Sequence, residues 1–351
     1  MSMAPVEPPV LAIEQSEDRP RPTRRLSAPK ALLWLLPSFL IVCVFVYVFI
    51  AYTIGVSLSS QWRPAKPDFT VADPWYGIYG ELLATPRFQA DIRNSIVFTV
   101  FFLLFCLVLG FLFAVLVYNA LWARGLFRGV FLLPYALSFI VTGVVWRWLF
   151  NPESGLNLLL NASGVSAVYE RVTGTPLRPE WTSSPDVVGD VSGLLNAIIP
   201  GGDFIQVQLG IPLALMAVVL AAGWQLMGFS MAMFLAGLAS VPDDVLEAAQ
   251  LDGASGFRYY RSIVIPMMWP FAVTTLVILA HVAFKMFDLV YAMSGSGIGF
   301  ATDMPGIFVY ESMYKALRPN LGAAASIVML VMVCLVVVPY LIRSGRRSTN
   351  D

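Results

Sequence analysis

The sequence predicts an all-α polytopic membrane protein with six transmembrane helices and a cytoplasmic coupling helix between spans four and five. Of the 351 residues, 58% are hydrophobic and only 13% are charged, whereas soluble domains carry about 25% charged residues. Six windows of 18 or more residues contain no charged side chain, and Lys and Arg concentrate on one side of the predicted spans. A water-soluble protein of this composition would expose large apolar surfaces.

Each charge-free window is long enough for one membrane-spanning helix. A span needs about 20 apolar residues, and a charged side chain at the bilayer centre costs several kcal/mol. The windows are residues 31–62, 94–123, 129–146, 204–242, 262–284 and 319–342. They predict a transmembrane domain at residues 31–345, with spans at about 32–58, 94–118, 127–150, 209–238, 264–287 and 322–342.

Two tails flank this domain. Residues 1–30 are rich in Pro and charged residues, which is typical of a disordered segment, and residues 346–351 form a short second tail. The apolar run after residue 30 is longer than the core of a signal peptide and lacks a clear cleavage site, so it is expected to remain as the first span.

The distribution of Lys and Arg predicts that both termini are cytoplasmic. With the N-terminus inside, 12 of the 22 basic residues lie in short cytoplasmic segments and 8 lie in longer outer segments. Basic residues concentrate in the cytoplasmic loops of membrane proteins. We therefore expect a multi-pass protein of a cytoplasmic membrane in contact with the lipid bilayer. The balance of 22 basic and 22 acidic residues argues against nucleic acid as a partner.

Residues 151–208 form a long extracytoplasmic loop in this orientation. Such a length is unusual for a simple connector. The loop is either a docking surface for an outside partner or a variable insertion, and the sequence leaves both interpretations open.

The cytoplasmic segment 240–262 is expected to contain two short helices joined by a turn. Ser240 is a favoured N-cap, and Asp243 complements the positive end of the helix dipole. The first helix is expected to end near Leu251, with Gly253 as its left-handed terminator. The segment thus predicts a coupling loop that lies across the inner membrane face.

This segment resembles the signature of the permease subunits of binding-protein-dependent ABC importers. That signature is Glu-Ala-Ala, three residues, Gly, nine residues, Ile, one residue and Leu-Pro. The matching residues are Glu247, Ala248, Ala249, Gly253, Ile263 and Pro266, with Ile265 in place of Leu. At average residue usage, a chance match has odds of about one in ten thousand or lower.

Other segments resemble the carbohydrate branch of these importers, the maltose-type and glycerol-phosphate-type permeases. They are Leu133-Pro134, Trp224, Gly228-Phe229, residues 234–238, residues 252–254, Ile265-Pro266, Phe287-Asp288 and Tyr291, within about residues 30–345. Two departures lie toward the outer side. Residues 294–297 replace a Thr-Gly-Gly-Pro-like turn, and the loop around residues 187–208 is longer than usual.

The resemblance implies an assembly of several chains in a bacterial or archaeal inner membrane. An extracytoplasmic solute-binding protein delivers a sugar, two homologous permease subunits form the path, and an ATPase subunit dimer binds ATP and magnesium. The helix around Glu247 sits in a groove of an ATPase and transmits its closure to the spans. The coupling residues that the resemblance implies are Glu247, Ala248, Ala249, Asp252, Gly253, Ile263 and Pro266.

The chain itself is not expected to be an enzyme. None of its four lysines follows a glycine, so the sequence has no P-loop for binding ATP phosphates. We expect no catalytic residue, no metal site and no cofactor bound by this chain, and we expect ATP hydrolysis in the separate ATPase.

Polar side chains in the spans are candidates for the substrate path, because such residues usually face a bundle interior or an aqueous path. The candidates are Tyr135, Ser138 and Thr142 in span three, Trp224, Gln225 and Ser230 in span four, and Thr274, His281, Lys285 and Asp288 on one face of the fifth helix. Helix packing explains most of them equally well. Lys285 and Asp288 at an interface would simply extend toward water.

Two other classes of membrane protein fit the sequence less well. A proton- or ion-coupled secondary solute transporter would need carboxylates within its spans, yet all six windows lack Asp and Glu. An intramembrane serine protease would need an aligned Ser and His, and His281 is the sole histidine. The permease hypothesis is therefore preferred, with the secondary transporter as its alternative.

Overall fold

The computed structural model describes residues 28–119, 124–198, 204–251 and 256–348, in two units that divide after Ala51. The first unit contains α1 (Ala28–Val42), a π-helical segment (Cys43–Val48) and the start of α2 (Phe49–Leu58). Apolar side chains along it are exposed, such as Phe39 at 71%. A helical segment that is apolar all round is suited to lipid rather than to water.

The second unit starts within α2 and contains the remaining described elements. They are α3 (Gly77–Ala84), α4 (Pro86–Asn119), α5 (Arg124–Leu132), a 3-10 turn (Pro134–Ala136), α6 (Phe139–Leu149), α7 (Leu156–Ala162), α8 (Val165–Thr173), β1 (Val187–Val188), α9 (Ser192–Ile198), β2 (Ile211–Pro212), α10 (Leu213–Ala239), α11 (Asp243–Leu251), α12 (Gly256–Tyr259), a π-helical segment (Tyr260–Val264), α13 (Ile265–Phe284), α14 (Asp288–Met293), a second 3-10 turn (Ile298–Phe300), α15 (Pro305–Tyr314) and α16 (Pro319–Ser348). The two short strands pair antiparallel. The predicted all-α fold class is confirmed.

Five helices in the described part of the chain are long and apolar enough to cross a membrane. They are Leu35–Leu58, Pro86–Asn119, Leu213–Ala239, Tyr260–Phe284 and Pro319–Ile342. The count reaches six when Arg124–Ala136 and Phe139–Leu149, which are bent by 97°, are taken as one broken span. The sequence predicts six spans. Five of them correspond to these five long helices, and the third corresponds to the bent pair.

The third span is broken, whereas the sequence predicted a continuous helix over residues 127–150. Pro134 has no N–H to donate to the helix, and its ring opposes a continuous helical ladder. A second helix then starts after Ser138, whose Oγ accepts a hydrogen bond from the Val141 N–H at 3.3 Å. A proline and a capping serine therefore divide this apolar segment into two helices.

Three predicted boundaries also differ from the structure. Helix α4 begins at Pro86, so the predicted span 94–118 is only the inner part of a helix that also carries Arg87, Asp91 and Arg93. Residues 28–30 and 346–348, which were assigned to the tails, are helical. The rest of each predicted tail lies outside the described residues.

Helix α4 packs along α10 through small residues. Gly110 lies against Ser230, and Gly223 lies against the ring of Phe105. Ala221 is fully buried in the same interface. Because lipid gives helices little hydrophobic reason to associate, close approach through small residues is a major source of packing energy. The α4–α10 pair therefore forms the centre of the largest buried cluster.

Two ends of the second unit are named here by the segments that they carry. We call the end that carries residues 151–198 the loop end and the end that carries α11 the motif end. The long loop is held by Trp181, whose Nε1 donates to Asn157 Oδ1 at 2.8 Å and whose ring lies 5.3 Å from the Phe150 ring. These contacts fix the loop against the end of α6.

A substitution at Gly228, on α10, tests how closely α10 packs on α5. It lies against the backbone carbonyl of Phe131, and a Cβ at this position would lie 3.3 Å from Leu132 Cα. Gly228→Ala should destabilise the fold by about 1–3 kcal/mol, because the backbone of α5 has to move. The measurement is the thermal unfolding midpoint of the purified protein in detergent.

Gly129→Ala is the matched control, since a Cβ at Gly129 meets nothing within 4 Å. Its midpoint should equal or exceed that of the unmodified protein. Equal midpoints for the Gly228→Ala protein and the unmodified protein would contradict the described packing.

Candidate functional site

The coupling segment forms a separate helix at the motif end. On α11, Glu247 and Ala248 are exposed, whereas Ala249 is only 3% exposed. The implied coupling residues Asp252 and Gly253 lie outside the described residues. The exposed surface of α11 therefore includes Glu247 and Ala248, whereas Ala249 is covered by other residues of this chain.

Ser240 does not cap α11 as predicted. Its backbone keeps a right-handed helical conformation, and its Oγ donates to the Gly237 carbonyl at 2.7 Å. An N-cap needs an extended backbone so that its side chain reaches forward to free N–H groups. Ser240 therefore ends α10, and α11 begins three residues later at Asp243.

Both ends of the coupling segment join one buried cluster. Its members are Ala114, Val117, Met231, Phe234, Leu238, Val264 and Met268, from α4, α10 and the start of the fifth span. Tyr260 Oη also accepts a hydrogen bond from Asn119 Nδ2 at 2.6 Å. Ile263 is half-buried beside this cluster, and Pro266 is exposed. The segment is thus attached at both ends to three packed helices.

Two of the path candidates stabilise the break in the third span. Gln225 Nε2 donates to the Leu137 carbonyl at 2.7 Å, and Ser138 caps α6. An unsatisfied backbone carbonyl at membrane depth would cost several kcal/mol. Gln225 and Ser138 therefore have a structural role at the break, independent of any contact with a substrate.

Aromatic candidates flank the same break. The Tyr135 ring stacks on Phe229 with centroids 5.7 Å apart, and Trp224 meets Trp146 edge-to-face at 5.8 Å. Tyr135 is exposed, and Trp224 is half-buried. The structure thus brings the candidates of spans three and four into one region that offers both ring faces and polar groups.

Unpaired polar atoms occur in this region. Thr142 Oγ1, Ser230 Oγ and Gln225 Oε1 are buried and have no hydrogen-bond partner within the described part of the chain. Buried polar groups in native proteins are nearly always paired, often with water. The three atoms are enclosed by packed helices, and Ser230 lies against Gly110 in the α4–α10 contact.

The candidates of the fifth span do not share one helix. Lys285 is the C-cap of α13, and Asp288 belongs to α14, so the predicted common face is wrong for Asp288. The backbone leaves helical geometry at Lys285 and ends the periodicity on which that prediction depended. Thr274 Oγ1 lies 3.1 Å from Tyr340 Oη on α16, a helix-packing contact. His281, Lys285 and Asp288 are exposed.

A charged network at the loop end was not predicted from the sequence. Arg87 Nε lies 2.6 Å from Asp303 Oδ2, and Arg87 Nη2 lies 2.7 Å from Glu311 Oε2. Lys315 Nζ lies 2.7 Å from the other oxygen of Glu311. Arg87 and Asp303 are 216 positions apart in the sequence, so no local pattern indicates the pair. The network joins the start of α4 to α15.

The network shifts the pKa values of its carboxyl groups in opposite directions. Burial raises the pKa of Asp303, although Arg87 opposes this effect. The hydrogen bond from Lys315, assisted by Arg87, lowers the pKa of Glu311 below its usual value. Glu311, the more exposed of the two carboxylates, therefore stays ionised at a lower pH than Asp303 does.

Comparisons with known proteins agree with this architecture. A family model described as binding-protein-dependent transport system inner membrane component matches residues 106–344. The xylose/arabinose import permease protein of Haloferax volcanii is 32% identical over 310 residues, covering 88% of this chain and 85% of the relative. The trehalose/maltose transport system permease protein of Thermococcus litoralis is 27% identical over 312 residues, covering 88% and 91%.

A solved structure shares the fold. The crystal structure of a bacterial ABC transporter involved in the import of the acidic polysaccharide alginate contains a chain that matches with a TM-score of 0.65 and 18% identity. The match covers 91% of this chain and 96% of that chain. The overall helix arrangement therefore belongs to a fold observed by crystallography.

Gln225 provides a test of the break. Gln225→Met keeps the size of the side chain but removes the donor to the half-buried Leu137, which should cost about 0.5–1.5 kcal/mol, the net contribution of one hydrogen bond. The thermal midpoint in detergent should fall. Ser138→Ala should also lower it, by about 0.5–2 kcal/mol, whereas Ser138→Thr keeps a capping hydroxyl and should lower it less. Unchanged midpoints for Gln225→Met and Ser138→Ala would refute both roles.

Glu311 provides a test of the network through pH. Because its pKa is lowered in the folded protein, its ion pairs stabilise the fold above the unfolded pKa of about 4.3, and this contribution is lost as pH falls through the folded pKa. Glu311→Gln should therefore lower the thermal midpoint at pH 6 more than at pH 3. Glu170→Gln, at an exposed position on α8, is the control and should lower it at neither pH. An equal loss at both pH values for Glu311→Gln would rule out this contribution.

Proposed function

This chain belongs to the family of binding-protein-dependent transport system inner membrane components, and we propose that it is the permease subunit of an ATP-driven sugar importer. In this proposal the chain forms half of a translocation path with a second homologous permease. An extracytoplasmic binding protein delivers the sugar, and a separate ATPase dimer binds ATP and magnesium. The observation that carries the proposal is the Glu247 to Pro266 signature in a chain with this family match.

A sugar as the substrate is supported by the relatives and by the chemistry around the break. The relatives named above are a xylose/arabinose permease and a trehalose/maltose permease. Tyr135 is exposed and Trp224 is half-buried, so both offer aromatic surface beside the break. Aromatic side chains suit sugars, because sugar rings have apolar faces.

Coupling through α11 is supported by its exposure and its attachments. Glu247 and Ala248 lie on the exposed face of this short helix. The small side chain of Ala248 allows close approach by another protein. Both ends of the segment join the cluster around Leu238 and Val264. Because packed cores transmit displacement rather than absorb it, a push on α11 would move three spans together.

The secondary-transporter alternative has one observation in its favour. Asp91 is a fully buried carboxyl group on α4, the type of group that proton-coupled carriers use. However, the charges of Arg87 and Arg93 act on Asp91 from the same helix, so the group has cationic neighbours. The ATP-driven importer accounts for the signature segment, which a secondary transporter leaves unexplained.

The coupling proposal is tested at Ala248. Ala248→Trp places a large side chain on the exposed face of α11 and should abolish ATP-driven sugar uptake by the reconstituted importer, together with co-purification of the ATPase. The variant should keep its thermal midpoint, because Ala248 is not buried.

Ala162→Trp is the matched control, an exposed alanine on α7 at the loop end. It should keep ATPase co-purification at the level of the unmodified protein. Normal uptake and normal ATPase binding by the Ala248→Trp importer would show that α11 does not couple the two activities.

A further inference from the structure

A polar pocket at the loop end has no role in the fold or in the coupling segment. It has a volume of about 730 Å³ and is lined by the end of α6, the long loop, α14 with the turn after it, and α15. Small-molecule sites have volumes of roughly 300–1,000 Å³. The lining includes Arg147, Asn151, Tyr291, Ser294, Glu311 and Lys315, so the pocket has the size of a ligand site and the groups to bind a polar molecule.

The charges of the pocket do not balance. Glu311 is paired with Lys315 and with Arg87, and Arg87 also pairs with Asp303, so this network contains two cations and two anions. Arg147 lies in the last turn of α6 and has no ion-pair or hydrogen-bond partner in the part of the chain that the structure describes. The pocket therefore presents one uncompensated guanidinium group, which favours an anion.

The neutral groups of the pocket suit a sugar ring. Tyr291 is 39% exposed and is held in place by stacking on Phe287, with ring centroids 5.3 Å apart. Tyr291 therefore offers the cavity an aromatic ring, which can contact the apolar face of a sugar.

We propose that the loop-end pocket binds a sugar unit that carries a carboxylate. Arg147 holds the carboxylate, Tyr291 contacts the face of the ring, and Asn151 binds a ring hydroxyl. This inference rests on the proposed importer function and narrows its substrate class to acidic sugars. The pocket is a binding site at the loop end. It is separate from the candidate residues around the break in the third span.

Two probes that differ at one carbon test the proposal. Glucuronate and glucose share the pyranose ring but carry a carboxylate or a hydroxymethyl group at C6. Calorimetric titration of the assembled importer in nanodiscs, without ATP or binding protein, should give at least tenfold tighter binding of glucuronate. Arg147→Gln should weaken glucuronate at least fivefold and change glucose less than twofold, whereas Tyr291→Leu should weaken both probes.

Arg178→Gln is the control, since it removes the same charge from an exposed position of the long loop that does not line this pocket. It should leave both affinities unchanged. The proposal is overturned by equal affinities for the two probes, by binding of neither, or by unaltered glucuronate binding to the Arg147→Gln protein. If any of these results were accompanied by ATP-driven uptake of a neutral sugar, the proposal of an acidic-sugar site would be rejected and the proposed importer function would stand. Lack of ATP-driven uptake with the expected binding pattern would instead reject the importer.

Discussion

A chain in a bilayer has to satisfy its backbone hydrogen bonds internally, and the third span shows how this constraint shapes the second unit. The helix stops before Pro134 and starts again after Ser138, which leaves carbonyl and N–H groups without helical partners. Ser138 provides one partner from within the break, and Gln225 provides another from α10. The break therefore depends on α10 being close to it, and Gly228 permits this proximity.

Helix α10 connects the two regions to which we assign function. It carries Trp224 and Gln225 beside the break, it packs along α4 through Gly223, and it ends at Ala239, directly before α11. A helix is stiff over this length and its surroundings are closely packed, so a displacement at the motif end would be transmitted toward the break. In the importer that we propose, α10 would thereby take part in a switch between two arrangements of the spans.

Much of the fold could be predicted from the sequence because the cost of burying charge in lipid is large. Charge-free windows located four of the membrane helices and the first apolar helix, and the signature segment was found at α11. The continuity of the third span was predicted wrongly, since its apolar composition outweighed the signals of Pro134 and Ser138. Asp288 was placed on the fifth helix because periodicity alone does not reveal that the helix ends at Lys285.

The loop end could not be predicted from local patterns. Arg87, Asp303 and Glu311 come from distant parts of the chain and meet only through the packing of α15 near the start of α4. The loop-end pocket has the same origin, because Arg147 and Tyr291 belong to different helices that line it. Interactions of this type follow from tertiary structure, whereas spans and signatures follow from composition and spacing.

The energy source of transport tests the account most directly. Initial uptake of radiolabelled xylose, trehalose and glucuronate is measured in cells that express the complete importer, after ATP depletion by arsenate or after collapse of the proton gradient by a protonophore with ATP maintained. The account predicts that uptake of at least one sugar falls to background with arsenate and persists with the protonophore. Uptake that survives ATP depletion and stops with the protonophore would contradict it and identify a proton-coupled carrier.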